Sequence, residues 1–321
     1  MKPLPDQRGV DVSIIIVNWN TCDVLRGCLS SIFEQTTDIS IEVIVIDNAS
    51  CDGSVEAVST EFPAVTLIAN HENRGFAAAN NQGIRISRGR HVLLLNPDTV
   101  ILDAAITRCV AFADVRPDIG VVGCKVFTDE DTVQQTGFAF PGPWNLFLVL
   151  SGLGRCFPKS RIFGRPELGW WDRDSELDLD VVSGMFMLVR REAIEQVGLM
   201  DERFFVYAEE ADWCYRFAKA GWRRVFTPTA RILHLDGGGK SSSQINTRMF
   251  IQLQKSLLIY FRKHLGPVSW TVGKMLYIAS DLGRSAAWLV SARVTGDPGL
   301  RAKSAAAAAA LRYHLRGIEP T

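Results

Sequence analysis

"HVLLLNPDTV", residues 91–100, decides how the chain is read. Val92, Leu93, Leu94 and Leu95 form an unbroken apolar run. Such a run suits a strand covered on both faces, the habit of parallel sheets with helices on either side. Asn96, Pro97 and Asp98 follow at once, so a strand suited to a core delivers a carboxylate at its tip. In open parallel sheets ligands bind beyond the carboxyl ends of the strands. Asp98 therefore stands where a ligand is expected. The competing reading makes it a cap on a helix beginning in "TVILDAAI".

The segments before it repeat the same grammar. "VSIIIV" at 12–17 is a β-branched apolar run. "NTCDVLRGCLSSIFEQT" then places Val24, Leu25, Cys28, Leu29, Ile32 and Phe33 at helical spacing, with Thr21 or Asp23 as a cap. "IEVIVID", "AVTLIA" and "HVLLLN" are further strands, and "SVEAVSTEF" and "FAAANNQGIRIS" further helices. This alternation predicts an α/β fold: a Rossmann-like, mostly parallel sheet with helices on both faces. The strand ends are polar: Asn18-Trp19-Asn20, Asp47-Asn48-Ala49-Ser50, Asn70 with "ENRGF", and Asn96-Pro97-Asp98.

The second half reads differently. "VVSGMFMLVRREAI" is a strand into a helix. In "RFFVYAEEADWCYRFAKAG", Ala211, Cys214, Tyr215 and Ala218 have helical spacing and Gly221 suits a C-cap. "RRVFTPTARILHLDGGGKSS" predicts two short strands and a glycine loop. "MFIQLQKSLLIYFRKHLG" is an amphipathic helix with Phe250, Leu253, Leu257 and Phe261 on one face and Lys255 and Arg262 on the other. Gly266-Pro267 breaks it, and helices over 268–290 and through "SAAAAAALRYHLR" follow. The expected organisation is a main domain over 1–244, in two halves near 10–125 and 126–244. A basic helical extension covers 245–321.

Of the 321 residues 47% are hydrophobic and 22% charged, a folded-protein composition. The formal charge is zero but unevenly spread: residues 245–321 carry eleven Lys and Arg against three Asp and Glu. Such a basic tail suits anionic lipid head groups better than nucleic acid, the alternative being a solvated helix surface. The seven cysteines include no C-x-x-C pair, against a zinc site or disulfide framework and in favour of a reducing compartment. "MKPLPDQRGVDVS" has no apolar signal core, and no window makes a convincing membrane span. The expected location is cytoplasmic, peripheral at the inner leaflet of the plasma membrane.

Two nucleotide-binding chemistries are excluded. The dinucleotide fingerprint needs glycines straight after the first strand, where "NWNTCD" stands; "HLDGGGKS" lacks the first glycine of a P-loop, whose place falls on His234. An acidic, amide-rich edge holds a nucleoside diphosphate through a divalent cation with oxygen ligands, Mg2+ or Mn2+. Asp98 is the natural ligand, and Asp47 a partner for base or ribose. Asp52-Gly53 reads as an ordinary turn, with contact between Asp52 and ligand the lesser alternative.

"SIIIVNWN", "VIVIDNASCDGS", "ENRGFAAANNQGI", "VLLLNPDT", "GMFMLVRREAI", "FFVYAEEADWCYR" and "HLDGGGKS" occur in that order. Together, over about 12–243, they resemble family 2 glycosyltransferases of the GT-A fold, in particular the bacterial rhamnosyltransferase-like branch. The resemblance implies inverting transfer of a sugar from a nucleotide diphosphate, with a divalent metal and a carboxylate base, and makes 10–125 the nucleotide-binding half and 126–244 the acceptor half. It implies that Asn18 and Asp47 contact base and ribose, that Arg74 lies near the diphosphate, and that Val17, Asn73 and Asn80 line the same donor site. Asn96-Pro97-Asp98 stands at the family's D-x-D position, with Asn96 in place of the first acid. Glu210 matches the base and Glu209 the acid beside it, where first-turn helix acids are the plainer reading. His234 matches a second metal ligand, Lys240 lies in a loop that closes over the diphosphate, and Gly184 falls on the acceptor side.

"GFAFPGPWNLFLVLSGLG", 137–154, with Trp170 and Trp171 after it, is either an acceptor lip touching lipid or core beneath a loop. The resemblance favours dTDP-L-rhamnose as donor and a glycan or polyprenyl-diphosphate-linked acceptor in cell-envelope synthesis. A UDP-hexose or UDP-galactofuranose donor is the near rival. A nucleotidyltransferase, which needs no base at Glu210, and a non-catalytic nucleotide-sugar binding protein are the rivals of another class.

Overall fold

The structure, a computed structural model, describes residues 9–129, 131–235 and 247–317. Four parallel strands carry its first half: β1 (Val12–Asn18), β2 (Ile41–Asp47), β3 (Thr66–Ala69) and β4 (His91–Leu95), in the order β3-β2-β1-β4. Helices α1 (Cys22–Gln35), α2 (Ser54–Glu61) and α3 (Phe76–Ile86) make the connections. Successive strand side chains point to opposite faces. Ile14, Ile16, Val43, Val45, Leu93 and Leu95 thus share one core cluster with Leu25, Leu29 and Ile32 of α1. Ile15 faces the other way, where α3 crosses so closely that a Cβ on Gly83 would lie 2.7 Å from its Cγ2. Each fully buried aliphatic side chain contributes about 1.5–3 kcal/mol.

The sheet then changes character. After β5 (Thr99–Leu102), α4 (Ala105–Asp114), β6 (Ile119–Phe127), β7 (Gly137–Phe138), α5 (Pro143–Ser151) and α6 (Leu153–Cys156) come β8 (Leu177–Asp178), β9 (Val181–Val182), β10 (Phe186–Arg190), α7 (Arg191–Val197), α8 (Glu209–Lys219) and β11 (Arg223–His234). Its order continues β4-β10-β6-β11-β5. β10 is antiparallel to β4 and β6, β11 is parallel to β6 and antiparallel to β5, and β7 pairs with β9 apart. The fold is a mixed α/β sheet flanked by helices, with parallel pairing concentrated in its first half.

Two local expectations are corrected. "TVIL" is strand β5, not the start of a helix. Its residues alternate between buried and partly exposed, and Asp103 and Ala104 have φ of +48° and +54° before α4 begins. Asp98 is therefore no helix cap. Residues 223–234 are one strand, not two, although its pairing with β6 slips between Thr227 and Arg231. Pro228, which has no N–H to give the ladder, sits in the slip.

The chain divides into two compact units. The first comprises Met1–Phe140, Trp171–Phe205 and Glu209–Gly237 and holds the sheet; the second comprises Pro141–Trp170, Val206–Ala208 and Gly238–Thr321. Residues 141–170, placed by sequence with the acceptor half, thus cluster with the C-terminal helices. Those helices are α9 (Thr247–Tyr260), a π-helical turn (Phe261–Leu265), α10 (Gly266–Thr295) and α11 (Pro298–Arg316). Gly266, with φ +83°, and Pro267 restart the helix as expected.

The buried face of α9 is rotated from the predicted one. Ile251, Gln254 and Leu258 are inside, and Leu253 is exposed. The cause is polar. Gln254 Nε2 donates to Asp281 Oδ1 at 3.3 Å, its Oε1 meets His314 Nε2, and Tyr277 stacks on His314 with centroids 5.6 Å apart. One glutamine thereby links α9, α10 and α11, and burial pushes the Asp281 carboxyl up to about 6 and His314 down to about 4. Apolar periodicity cannot foresee a buried glutamine whose partners lie on two other helices.

Candidate active site

Asn18 ends β1 beside Asp47, which ends β2. Asn18 Nδ2 donates to Asp47 Oδ2 at 2.8 Å and to Ser50 Oγ at 3.1 Å. The Ser50 N–H donates to Asp47 Oδ1 at 2.8 Å, and the Thr21 hydroxyl to Asn18 Oδ1 at 2.6 Å. Asn18 and Asp47 are buried, so in this structure they shape the two loops at the strand ends. Val17 is partly exposed next to them. Asn73 Oδ1 accepts from Asn48 Nδ2 at 3.2 Å and from the Gly75 N–H at 2.9 Å, and the Arg74 N–H donates to Asn48 Oδ1 at 3.3 Å. This knot fixes the backbone while the Arg74 side chain stays exposed. Gly75 is required there: its φ is +82° and a Cβ would lie 2.4 Å from the Phe205 carbonyl oxygen. Asn80 is buried and donates to Phe76 O of its own helix. The longer bridge belongs to Asn81, which bonds Met200 and Glu202.

Asp98 and His234 meet because β5 and β11 pair antiparallel with His234 opposite Thr99; the Leu235 N–H also donates to Asp98 O at 2.9 Å. Asp98 Oδ1 lies 3.1 Å from His234 Nε2, and neither atom has a hydrogen-bond partner. His234 Nδ1 lies 3.0 Å from Gln134 Oε1. A carbonyl oxygen only accepts, so Nδ1 carries a proton, and the neutral form of the ring would turn its Nε2 lone pair toward the carboxylate. In that form two acceptors would face each other, an arrangement that a cation completes. Two ligands at right angles, each about 2.1 Å from one octahedral ion, stand roughly 3.0 Å apart, so the pair fits a divalent metal. Among the described residues no group of three or more His, Cys, Asp or Glu side chains surrounds it, so a metal here would take further ligands from water or a bound anion. Asn96, partly exposed, is anchored by its N–H to Met185 O at 3.1 Å.

Gln134 went unnoticed in the sequence because it stands a hundred residues from the ring it orients. A turn after β6 brings it there, with its N–H donating to Val126 O at 2.8 Å. Gln134→Leu should weaken Mn2+ binding about 10- to 100-fold, as loss of a histidine's supporting hydrogen bond does elsewhere. Electron paramagnetic titration of free Mn2+ measures it, and unchanged affinity would leave the glutamine without that role.

Glu210 opens α8. The Gly184 N–H donates to its Oε1 at 3.3 Å, and Gly184 adjoins Met185, which holds Asn96. The antiparallel run of β10 beside β4 therefore brings the base candidate to the edge that carries Asp98. Burial raises the Glu210 pKa, against the lowering effect of the Gly184 N–H. A Cβ on residue 184 would sit 3.0 Å from Glu210 Oε1, so glycine keeps the carboxylate's place open. Glu209 is buried. The two residues before it, Tyr207 and Ala208, have φ of +70° and +64°. Left-handed backbone at two non-glycine residues costs about 1–3 kcal/mol each and is concentrated at functional sites.

The tryptophans separate. Trp171 belongs to the first unit, buried edge-on against Phe226 with ring centroids 4.6 Å apart. It packs as core, and the reading of it as an acceptor platform finds no open ring face. Trp170 belongs to the second unit, with the Arg161 guanidinium 4.4 Å over its ring. Lys240 and its glycine loop lie outside the described residues.

Comparison with known proteins places this edge in context. The family model described as Glycosyl transferase family 2 matches residues 13–198. An N-acetylglucosaminyl-diphospho-decaprenol L-rhamnosyltransferase of Mycobacterium tuberculosis strain H37Rv is 27% identical over 287 residues, 84% of this chain and 91% of that protein. The O-antigen biosynthesis protein RfbC of Myxococcus xanthus is 30% identical over 73% of this chain and 18% of its own length. Among solved structures, the mannosyltransferase PcManGT from Pyrobaculum calidifontis, in complex with GDP-Man and Mn2+, superposes with a TM-score of 0.58 at 20% identity, covering 99% of this chain and 91% of that one.

Proposed function

The chain belongs to glycosyl transferase family 2, and from that premise we propose that it is an inverting enzyme moving L-rhamnose from dTDP-L-rhamnose onto a polyprenyl-diphosphate-linked acceptor in cell-envelope glycan synthesis. The observation that carries this reading is the meeting, at one sheet edge, of the Asp98–His234 acceptor pair with a raised-pKa carboxyl at Glu210. Donor and acceptor rest on the likeness to the mycobacterial rhamnosyltransferase along most of its length.

The acceptor hydroxyl oxygen attacks the anomeric carbon as the bond to the diphosphate breaks, and its proton passes to Glu210. The Gly184 N–H holds that carboxylate in place. The ends of β1 and β2 frame the nucleotide, and the exposed Arg74 offers a guanidinium to its phosphates, as does Lys240 an ammonium. Asp98 and His234 would hold Mg2+ or Mn2+, which when bound neutralises charge on the departing diphosphate. Mn2+ accompanies the nucleotide sugar in PcManGT. With such an acceptor, the enzyme works at the cytoplasmic face of the membrane.

The test is a donor panel on the purified protein. dTDP-rhamnose, UDP-hexoses and UDP-galactofuranose are each supplied with a prenyl-diphospho-N-acetylglucosamine acceptor and Mg2+ or Mn2+. The expected outcome is a kcat/KM for dTDP-rhamnose at least about tenfold above the others, a modest discrimination for a polar sugar pocket, with the product anomer inverted. Turnover of a UDP donor instead reassigns the sugar, and no turnover with any donor leaves only a binding protein.

A further inference from the structure

No described helix is long and apolar enough to cross a membrane. Yet α10, about 45 Å long at 1.5 Å per residue, carries an uncharged outer face. Between residues 267 and 291 none of its exposed positions is charged. Val268, Val272, Met275, Leu282 and Leu289 recur along that face at spacings of four, three, seven and seven, with Met275 65% and Leu282 58% exposed. α5, which packs against α10, exposes the stacked Trp144 and Phe147. Monomeric soluble proteins rarely leave apolar stripes of this length open.

The charge around the stripe indicates its occupant. The second compact unit carries sixteen Lys and Arg against four Asp and Glu, and the first carries nineteen against thirty-one. The neutral formal charge thus conceals two strongly opposite units. A second copy docked on this stripe would bring two excesses of twelve positive charges together, which repel. Anionic head groups attract each basic residue near the surface, and the acyl boundary takes the apolar side chains.

We propose that the outer face of α10 lies flat in the surface of an anionic bilayer, with Met275 and Leu282 at its centre. The inference deepens the lipid-linked acceptor reading and rests on it for its purpose: the enzyme is held on the surface that carries its substrate.

Flotation of the full chain with vesicles, no donor present, tests it. The protein should float with phosphatidylcholine–phosphatidylglycerol vesicles, much less with phosphatidylcholine alone, and less in high salt. Met275→Glu with Leu282→Glu should lower binding to the anionic vesicles about tenfold or more. Both side chains are exposed, so the melting temperature should not move. Wild-type protein that stays off anionic vesicles, or a double variant that floats like wild type, overturns the proposal. A lipid-free dimer that the double variant dissolves assigns the face to a second copy and overturns it equally. Flotation needs no donor, so binding without sugar transfer would sink the rhamnosyltransferase reading and leave the docking face standing.

Discussion

Glu210→Gln should lower kcat by about 10²–10⁴, the usual contribution of a positioned general base, while leaving the donor KM unchanged. Glutamine keeps the size of the side chain, and its carbonyl oxygen accepts from the Gly184 N–H as the carboxylate does. Only the capacity to take a proton is lost. The pH dependence gives a second reading. Burial raises the Glu210 pKa above its usual 4.5, and the base is active ionised, so the acid limb of kcat/KM should have its midpoint above that value. Stability runs the other way. A carboxyl whose folded pKa exceeds its unfolded pKa favours folding most when protonated, below the unfolded value; that contribution is lost as pH rises through the folded pKa. Above it, the glutamine variant should melt no lower than the wild type. A variant with wild-type kcat would remove Glu210 from proton transfer and revive the nucleotidyltransferase reading. Glu209→Gln is the companion variant: its carboxyl is buried, so its cost should appear in stability before turnover.

The first half of this fold was legible because two periodicities agree there. Apolar runs such as those at 12–17 and 91–95 alternate with helical spacing at short intervals, and only parallel crossovers satisfy both. The second half was less so, because strand direction is a long-range property. "MFMLVR" is equally apolar whether it runs with β4 or against it, and the antiparallel choice follows from pairing with residues near 91 and 121. The same limit separates Asp98 from its surroundings. A carboxylate at the tip of a buried strand announces itself in ten residues. The hydrogen bond that sets the His234 tautomer goes to Gln134, a neutral residue in an uncharged stretch, and no local pattern marks it. Asn18 and Asp47 were legible as polar strand ends, but not that they would bond one another and leave the chain's own loops as their first partners. The strained pair before Glu209 has no signal either, since tyrosine and alanine do not advertise a left-handed backbone.

Asp98→Ala should reduce Mn2+-supported turnover by about 10²–10³, or about 3–4 kcal/mol at 1.36 kcal/mol per decade. The fold should survive, because the bond from the Leu235 N–H goes to the Asp98 main-chain oxygen. Asp98 Oδ1 has no hydrogen-bond partner, so its removal forfeits no hydrogen bond. With a neutral His234 ring, removing it relieves a repulsion between two acceptors in the metal-free protein, and the apo variant should then melt at or above the wild-type temperature. The stabilisation that Mn2+ with donor nucleotide gives the wild type should vanish. Asn96→Asp supplies the opposite perturbation. It restores the first acid of D-x-D at a position whose backbone is already pinned to Met185, so the new carboxylate costs little ordering. Calorimetric titration should find Mn2+ bound more tightly by Asn96→Asp and hardly at all by Asp98→Ala. If both variants keep wild-type metal affinity and turnover, the cation does not sit at this strand tip, and the 3.1 Å approach of Asp98 to His234 is an ion pair with a protonated ring.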